Sequence, residues 1–172
     1  ARFIKRDGFC FGHYTDCWKR TYFSGNNPEW GASLMNGAWA CAHLVDSYRF
    51  TGDREDLKKS LPILESNARF IMSWFEDDGK GRYLSGPGVS PETGFYAPDG
   101  TGPNVLSYVS NGASHDQLLG RESLRNYIYA CGELGVQTPT LVKAVQFLRK
   151  IPQPAIGPDG RVQEWRQPFE EM

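Results

Sequence analysis

Apolar residues recur at three-to-four-residue spacing in two long stretches of the chain, and a Gly/Pro/Ser-rich middle separates them. Before the first stretch, residues 1–27 are irregular and rich in Gly, Phe and Tyr. Asn27-Pro28-Glu29 then reads as a helix start, with a capping Asn, a Pro at the first helical position and an acid in the first turn. This helix is expected to run to about Phe50, where Thr51-Gly52 ends it. Trp30, Leu34, Met35, Ala38, Trp39, Cys41, Ala42, Leu44, Val45 and Tyr48 cover most of its circumference, which predicts a buried helix and makes His43 a core histidine. Asp53 caps the next helical pattern. Its apolar stripe is Leu57, Leu61, Leu64, Ala68, Ile71, Met72 and Phe75, with Lys58, Lys59, Glu65 and Arg69 on the other side. Pro62 predicts a break or kink, and Asp77-Asp78-Gly79 an end.

From Gly79 to Asn111 the pattern is short and β-like, as at Arg82-Tyr83-Leu84; a connection this long is functional or disordered, and its aromatics argue against disorder. Helical spacing resumes near Ala113 and continues to Gly135 through Leu118, Leu119, Leu124, Ile128, Cys131 and Leu134. Thr138-Pro139 opens a last helix through Leu141, Val142, Val145, Phe147 and Leu148. Pro158-Asp159-Gly160 turns the chain between two short extended pieces, Ala155-Ile156 and Arg161-Val162-Gln163-Glu164. Helix pairs bearing long loops on one side suggest a helical toroid or barrel. No fixed-period repeat is visible, which disfavours an ordinary helical solenoid.

The length of 172 residues suits one domain. The chain begins at Ala1 in mid-pattern and stops at Met172 just after an acidic cluster, and so reads as an internal segment of a longer protein. A net charge of −1 without a basic block gives nucleic-acid or membrane-surface binding no electrostatic support, and no apolar run approaches 18 residues. Cys10, Cys17, Cys41 and Cys131 are irregularly spaced and the histidines scattered, which disfavours a zinc site; Cys41 and Cys131 read as small core residues. Aromatics make up 13% of the chain, with five Trp and eight Tyr, suiting either an aromatic-rich core or stacking on sugar rings.

Four irregular segments could carry chemistry: Gly12-His13-Tyr14-Thr15-Asp16-Cys17-Trp18, the loop Pro87 to Tyr96 around Glu92, Ser110 to Gln117 at a helix start, and Gln163-Glu164-Trp165. Each mixes a carboxylate with a Trp, His, amide or other aromatic, as a site does that hydrogen-bonds hydroxyls and stacks on a sugar face. Plainer roles stand beside these: a solvated turn for Glu92, loop fixing for His13 and Asp16, helix capping for Ser114 and Asp116, and hairpin packing for residues 163–165. In the Glu92 loop Pro91 restricts the backbone, and the flanking glycines supply unusual angles or close approach. His115 and Asp116 are adjacent in sequence, and adjacent helical residues do not face each other. No Ser-His-Asp set or phosphate loop is present, disfavouring acyl and phosphoryl transfer.

Taken in order, His13-Tyr14-Thr15-Asp16-Cys17-Trp18, Gly37-Ala38-Trp39 to Tyr48-Arg49-Phe50-Thr51-Gly52-Asp53, Ser90-Pro91-Glu92, Asp116-Gln117 and Ile156-Gly157 to Gln163-Glu164-Trp165 resemble glycoside hydrolase family 95, the α-L-fucosidases. The resemblance covers nearly the whole chain. It implies an all-α fold, part of an (α/α)6 barrel with long loops and short β-hairpins, in which residues 1–172 are a partial catalytic domain truncated at both ends. It also implies inverting release of terminal α-1,2-linked L-fucose from a fucosylated oligosaccharide or polysaccharide, with no cofactor and no metal.

Carried over by position, Glu92 matches the general acid. An inverting enzyme needs such an acid at the leaving oxygen and a base for water on the opposite face; Phe95 and Tyr96 are expected to enclose the acid and raise its pKa. His13, Asp16 and Trp18 match a sugar-pocket segment, and Asp116, Glu164 and Trp165 are placed with them as substrate-binding, Asp116 in a supporting role. Tyr14 stands where the family's His-Asn-Thr-Asp pattern has Asn, and Ser114-His115 where Thr-Met is common. By the same resemblance the water-activating Asn and Asp residues and a His-Arg-His segment lie outside this chain, which predicts no useful hydrolysis by these residues alone. The rest of the parent chain is the partner that would complete the barrel. The competing readings are another (α/α)6 glycosidase, α-L-galactosidase- or rhamnosidase-like, and a non-catalytic carbohydrate-binding protein.

Overall fold

A computed structural model of the chain describes residues 4–18, 20–22, 28–31, 33–97 and 105–171. Helices build the frame: a single turn α1 (Pro28–Gly31), then α2 (Asn36–Thr51), α3 (Arg54–Trp74), α4 (Ser114–Leu134) and α5 (Pro139–Leu148). Short strands decorate it: β1 (Tyr14–Thr15), β2 (Thr21–Tyr22), β3 (Phe75–Asp77), β4 (Tyr83–Ser85), β5 (Gly88–Val89), β6 (Phe95–Tyr96), β7 (Leu106–Ser107), β8 (Val109–Ser110) and β9 (Glu170–Glu171). Among the described residues all pairings are antiparallel: β1 with β2, β3 with β4, β5 with β8, and β6 between β7 and β9.

The helix ends follow their local chemistry. Gly52 and Gly135 adopt the left-handed conformation that closes α2 and α4. The Asp53 carboxylate accepts from the N–H groups of Glu55 and Asp56, and the Thr138 hydroxyl from that of Leu141. These tight turns fold α2–α3 and α4–α5 into two hairpins, with α4 packed on α2, α3 and α5. Leu57, Leu64, Ala68, Phe70 and Ile71 of α3 meet Leu124, Tyr127, Ala130 and Cys131 of α4 and Met35, Cys41 and Val45 around α2. Each large side chain so buried contributes about 1.5–3 kcal/mol. A polar seam crosses this core: Ser123 Oγ donates to Asn67 Oδ1 (2.6 Å), and Asn67 Nδ2 to the Phe9 carbonyl (3.3 Å).

Four expectations need correction. The helix expected from Asn27 to Phe50 is interrupted between Gly31 and Asn36, with Met35 preceding α2; Asn27 itself lies outside the described residues. Among the described residues α3 and α4 cover one side of α2, burying Gly37, Ala38, Cys41 and Val45 and leaving Trp39 (59%) exposed. His43 lies on the uncovered side and is exposed rather than a core histidine. Pro62 does not break α3. It lies on an exposed face, where water can reach the carbonyl of Lys58 that its missing N–H leaves free. Helix α3 also ends earlier than Asp77-Asp78-Gly79: Phe75 turns extended and starts β3, pairing with Ser85.

No described helix is long and apolar enough to cross a membrane, and no group of three or more His, Cys, Asp or Glu among the described residues is placed to hold a metal ion.

Candidate active site

Two stretches far apart in sequence converge at the start of α4. The segment after β4 runs through β5 into Ser90-Pro91-Glu92-Thr93, a turn closed by the Thr93 N–H on the Ser90 carbonyl (3.2 Å). The chain at 163–166 lies across the end of α4. The Glu164 carbonyl accepts from the Ser114 N–H (2.9 Å), the Ser114 hydroxyl donates to the Gln163 carbonyl (2.6 Å), Ala113 bridges Trp165, and the Arg166 N–H reaches the Gly112 carbonyl (3.1 Å). Ala113, which precedes α4, has no side chain to cap it, so the tail supplies the acceptor that the first free N–H needs. Ser90, buried in the turn, donates its hydroxyl hydrogen bond to Glu164 Oε1, so the tail also holds the Glu92 loop.

The flanking glycines are there for close approach, and the unusual backbone angle falls on Glu92 itself. Glu92 has φ 63°, a left-handed conformation uncommon for a residue with a side chain and costing about 1–3 kcal/mol when the surroundings impose it. Gly88 instead lies under the Asp116 carboxylate: a Cβ there would fall 1.9 Å from Oδ2. At Gly94 a Cβ would meet Leu106 and Tyr108 at 2.8 and 2.9 Å.

Glu92 is exposed, and of the two aromatics expected to enclose it, Phe95 and Tyr96, Phe95 is buried away from it. Phe95 is buried beneath the loop, stacked on Phe169 (4.0 Å between ring centroids) and edge-on to Trp165 (4.9 Å). Trp165 is 1% exposed and Asp116 2%; both side chains lie under the loop, enclosed by α4 and the tail. His115 and Asp116 do meet, contrary to the expectation for adjacent residues, with Nδ1 3.2 Å from Oδ1. In the first helical turn there is no preceding turn to fill the space toward which side chains lean. Burial raises the Asp116 pKa above its ordinary value, while the His115 hydrogen bond and charge and the Ser85 hydroxyl pull the other way.

The first expected segment forms a separate hairpin. Asp16 accepts from the N–H groups of Trp18 and Arg20 (both 3.0 Å) and from Arg20 Nε (2.9 Å), so it fixes its own loop. Trp18 is 73% exposed under the Arg20 guanidinium. His13 sits edge-on to Tyr14 and Trp30, and Trp30 belongs to α1, which packs beside β5. The hairpin therefore borders the Glu92 loop through α1.

A tyrosine–acid pair not foreseen from the sequence strengthens that border. Burial pushes the Tyr108 phenol above its ordinary pKa, and the charge and hydrogen bond of Glu29 push it further. Glu29 reads in sequence as a first-turn acid, and no local signal joins it to a residue so far along the chain. A groove of about 680 Å³ lies elsewhere, between α3 and α5, beside Arg69, Tyr83, Phe147 and Lys150; it shares no residue with this loop cluster.

The catalytic-domain profile of glycosyl hydrolase family 95 matches residues 1–172. The chain belongs to glycosyl hydrolase family 95. Over 166 residues, 95% of this chain, it is 32% identical to a protein named alpha-L-fucosidase 2 from Arabidopsis thaliana, and it spans 19% of that relative's length. The ordered motifs from His13 to Trp165 thus mark a glycoside hydrolase catalytic domain. Family 95 implies a helical barrel, to which the two hairpins described here would contribute.

Proposed function

We propose that this chain carries the proton-donating side of an inverting α-L-fucosidase that removes terminal α-1,2-linked L-fucose, and that residues 1–172 are part of its (α/α)6-barrel catalytic domain. Glu92 is the general acid. Its carboxyl proton passes to the glycosidic oxygen as the bond from that oxygen to the fucose anomeric carbon breaks, while water attacks the opposite face of the sugar. The base that activates this water belongs to the remainder of the parent chain. His13, Asp16 and Trp18 border the fucose pocket, Trp18 offering an exposed ring to an apolar sugar face. Asp116, Glu164 and Trp165 support the loop from below.

The observation that carries this reading is the backbone of Glu92: a carboxylate held left-handed on a turn whose neighbours are clamped from two sides, in the Ser-Pro-Glu motif of a glycoside hydrolase domain. Glu92→Gln in the intact parent enzyme is expected to lower kcat/KM on an α-1,2-fucosylated oligosaccharide by about 10²–10⁴-fold. Wild-type turnover in that variant would refute the acid assignment. Tyr14, standing where the family has Asn, makes the sugar choice a separate test: matched α-L-galactosides hydrolysed faster than α-L-fucosides would overturn the fucose assignment and keep the mechanism.

A further inference from the structure

We propose that Glu164 is a positioning residue for proton donation: it latches Ser90 and thereby fixes the turn that presents Glu92. This rests on Glu92 being the general acid. Nearly every polar group of Glu164 is committed to holding the chain in place. Oε1 accepts from Ser90 Oγ, the backbone carbonyl accepts from the Ser114 N–H (2.9 Å), and the backbone N–H donates to Glu171 Oε1 (3.3 Å). A residue so engaged is poorly placed to bind sugar and well placed to set the loop.

Ser90 is the other half of the latch. It is 1% exposed, and the partner of its hydroxyl lies across on the tail, 74 positions along the chain. Two residues later the backbone is left-handed at Glu92, and the Ser90 carbonyl receives the Thr93 N–H that closes the turn. The backbone strain at Glu92 persists only where neighbouring contacts over-determine it. The Glu164–Ser90 bond is one such contact, and the Asp116 carboxylate seated over Gly88 is another. Removing the first lets the turn relax and carries the Glu92 carboxyl away from the leaving oxygen without touching the sugar pocket.

The leaving group separates this role from plain stability or sugar binding. A glycan leaving group needs a proton; fluoride departs as the anion and does not. In the intact parent enzyme, Ser90→Ala and Glu164→Ala are expected to lower kcat/KM on an α-1,2-fucosylated oligosaccharide about 100-fold, the scale of an ångström-sized misplacement, while α-L-fucosyl fluoride changes by less than about threefold because it needs no general acid. Glu164→Gln, which keeps an oxygen acceptor for Ser90, should recover most of the glycan activity. Amide exchange at Thr93 should quicken in both alanine variants.

Equal losses on both substrates, or no loss on either, would overturn the latch. Glu92→Gln measured alongside identifies which premise fails. If it shows the leaving-group selectivity and the Glu164 and Ser90 variants do not, the latch is refuted and the acid stands; if it lacks the selectivity, both are refuted. Should Glu164→Ala fail to fold, Ser90→Ala removes a single oxygen and still decides between these outcomes.

Discussion

Gly88→Ala tests whether the glycine of the Glu92 loop is required by a neighbour rather than by its own backbone. The added Cβ would fall 1.9 Å from Asp116 Oδ2 and 3.1 Å from its Cγ. Asp116 cannot swing clear without leaving its enclosed position against His115 and Ser85. Forcing a methyl into a packed site costs about 1–3 kcal/mol, and displacing a buried carboxylate from its partners adds about the same. Against this, Ala lowers the entropy of the unfolded chain by about 0.4–1 kcal/mol-equivalent, a gain available here because Gly88 is not left-handed. The net expectation is about 1–5 kcal/mol of destabilisation, read as a lowered unfolding midpoint. The assay is a double-mutant cycle with Asp116→Ala followed by thermal unfolding of the intact protein. Removing the carboxylate should relieve the clash, giving a coupling of about 1 kcal/mol or more. Gly88→Ala within about 0.5 kcal/mol of wild type, or strict additivity, would refute the close-approach argument.

Two further outcomes follow from the same structure. The Asp116 carboxyl binds its proton more tightly folded than unfolded, so its contribution to stability is full below the ordinary aspartate pKa of about 3.9 and is lost as pH rises through the folded value. Wild type should therefore lose stability relative to Asp116→Asn as pH is raised from about 3 to 7, as read by denaturant unfolding at each pH; a difference that grows in favour of wild type with rising pH would contradict the sign. Among the thiols, burial pushes Cys41 up to about 12 and raises Cys10 and Cys131, whereas Cys17 is exposed. Iodoacetamide at pH 8 should label Cys17 first and leave Cys41 unmodified until the protein is denatured, as mass spectrometry of the peptides would show.

Much of the helical frame was legible because its signals are local. Asp53, Thr138-Pro139, Gly52 and Gly135 each act on a backbone group within a few residues, and all four mark helix ends as their chemistry predicts. The stripe from Leu57 to Ile71 faces the core because helical spacing alone puts those residues on one side. Where the outcome depended on a distant neighbour, the pattern misled. His43 looks like a core residue because its helix is apolar nearly all round, yet what covers a helix face is another helix, and the periodicity of α2 carries no record of which side α3 and α4 take. Pro62 looks like a break, but its effect turns on whether water can reach the freed carbonyl, which is a property of the surface.

The Glu92 loop shows the same division. Sequence alone determined that a carboxylate sits in a rigid Ser-Pro-Glu turn between helical pairs, and the ordered motifs determined the family, since both are written in residue type and order. Only the tertiary structure decided that Glu92 bears the left-handed backbone, that Gly88 makes room for Asp116, that Phe95 lies under the loop instead of around the acid, and that Glu164 grips Ser90. The last three are contacts between segments 28 to 74 positions apart, and the tail at 163–166 is held in place by Ser114, whose N–H at the start of α4 finds its acceptor there. A hydrogen bond of that range leaves no periodic trace in the chain, so it becomes visible only once the backbone has brought its ends together.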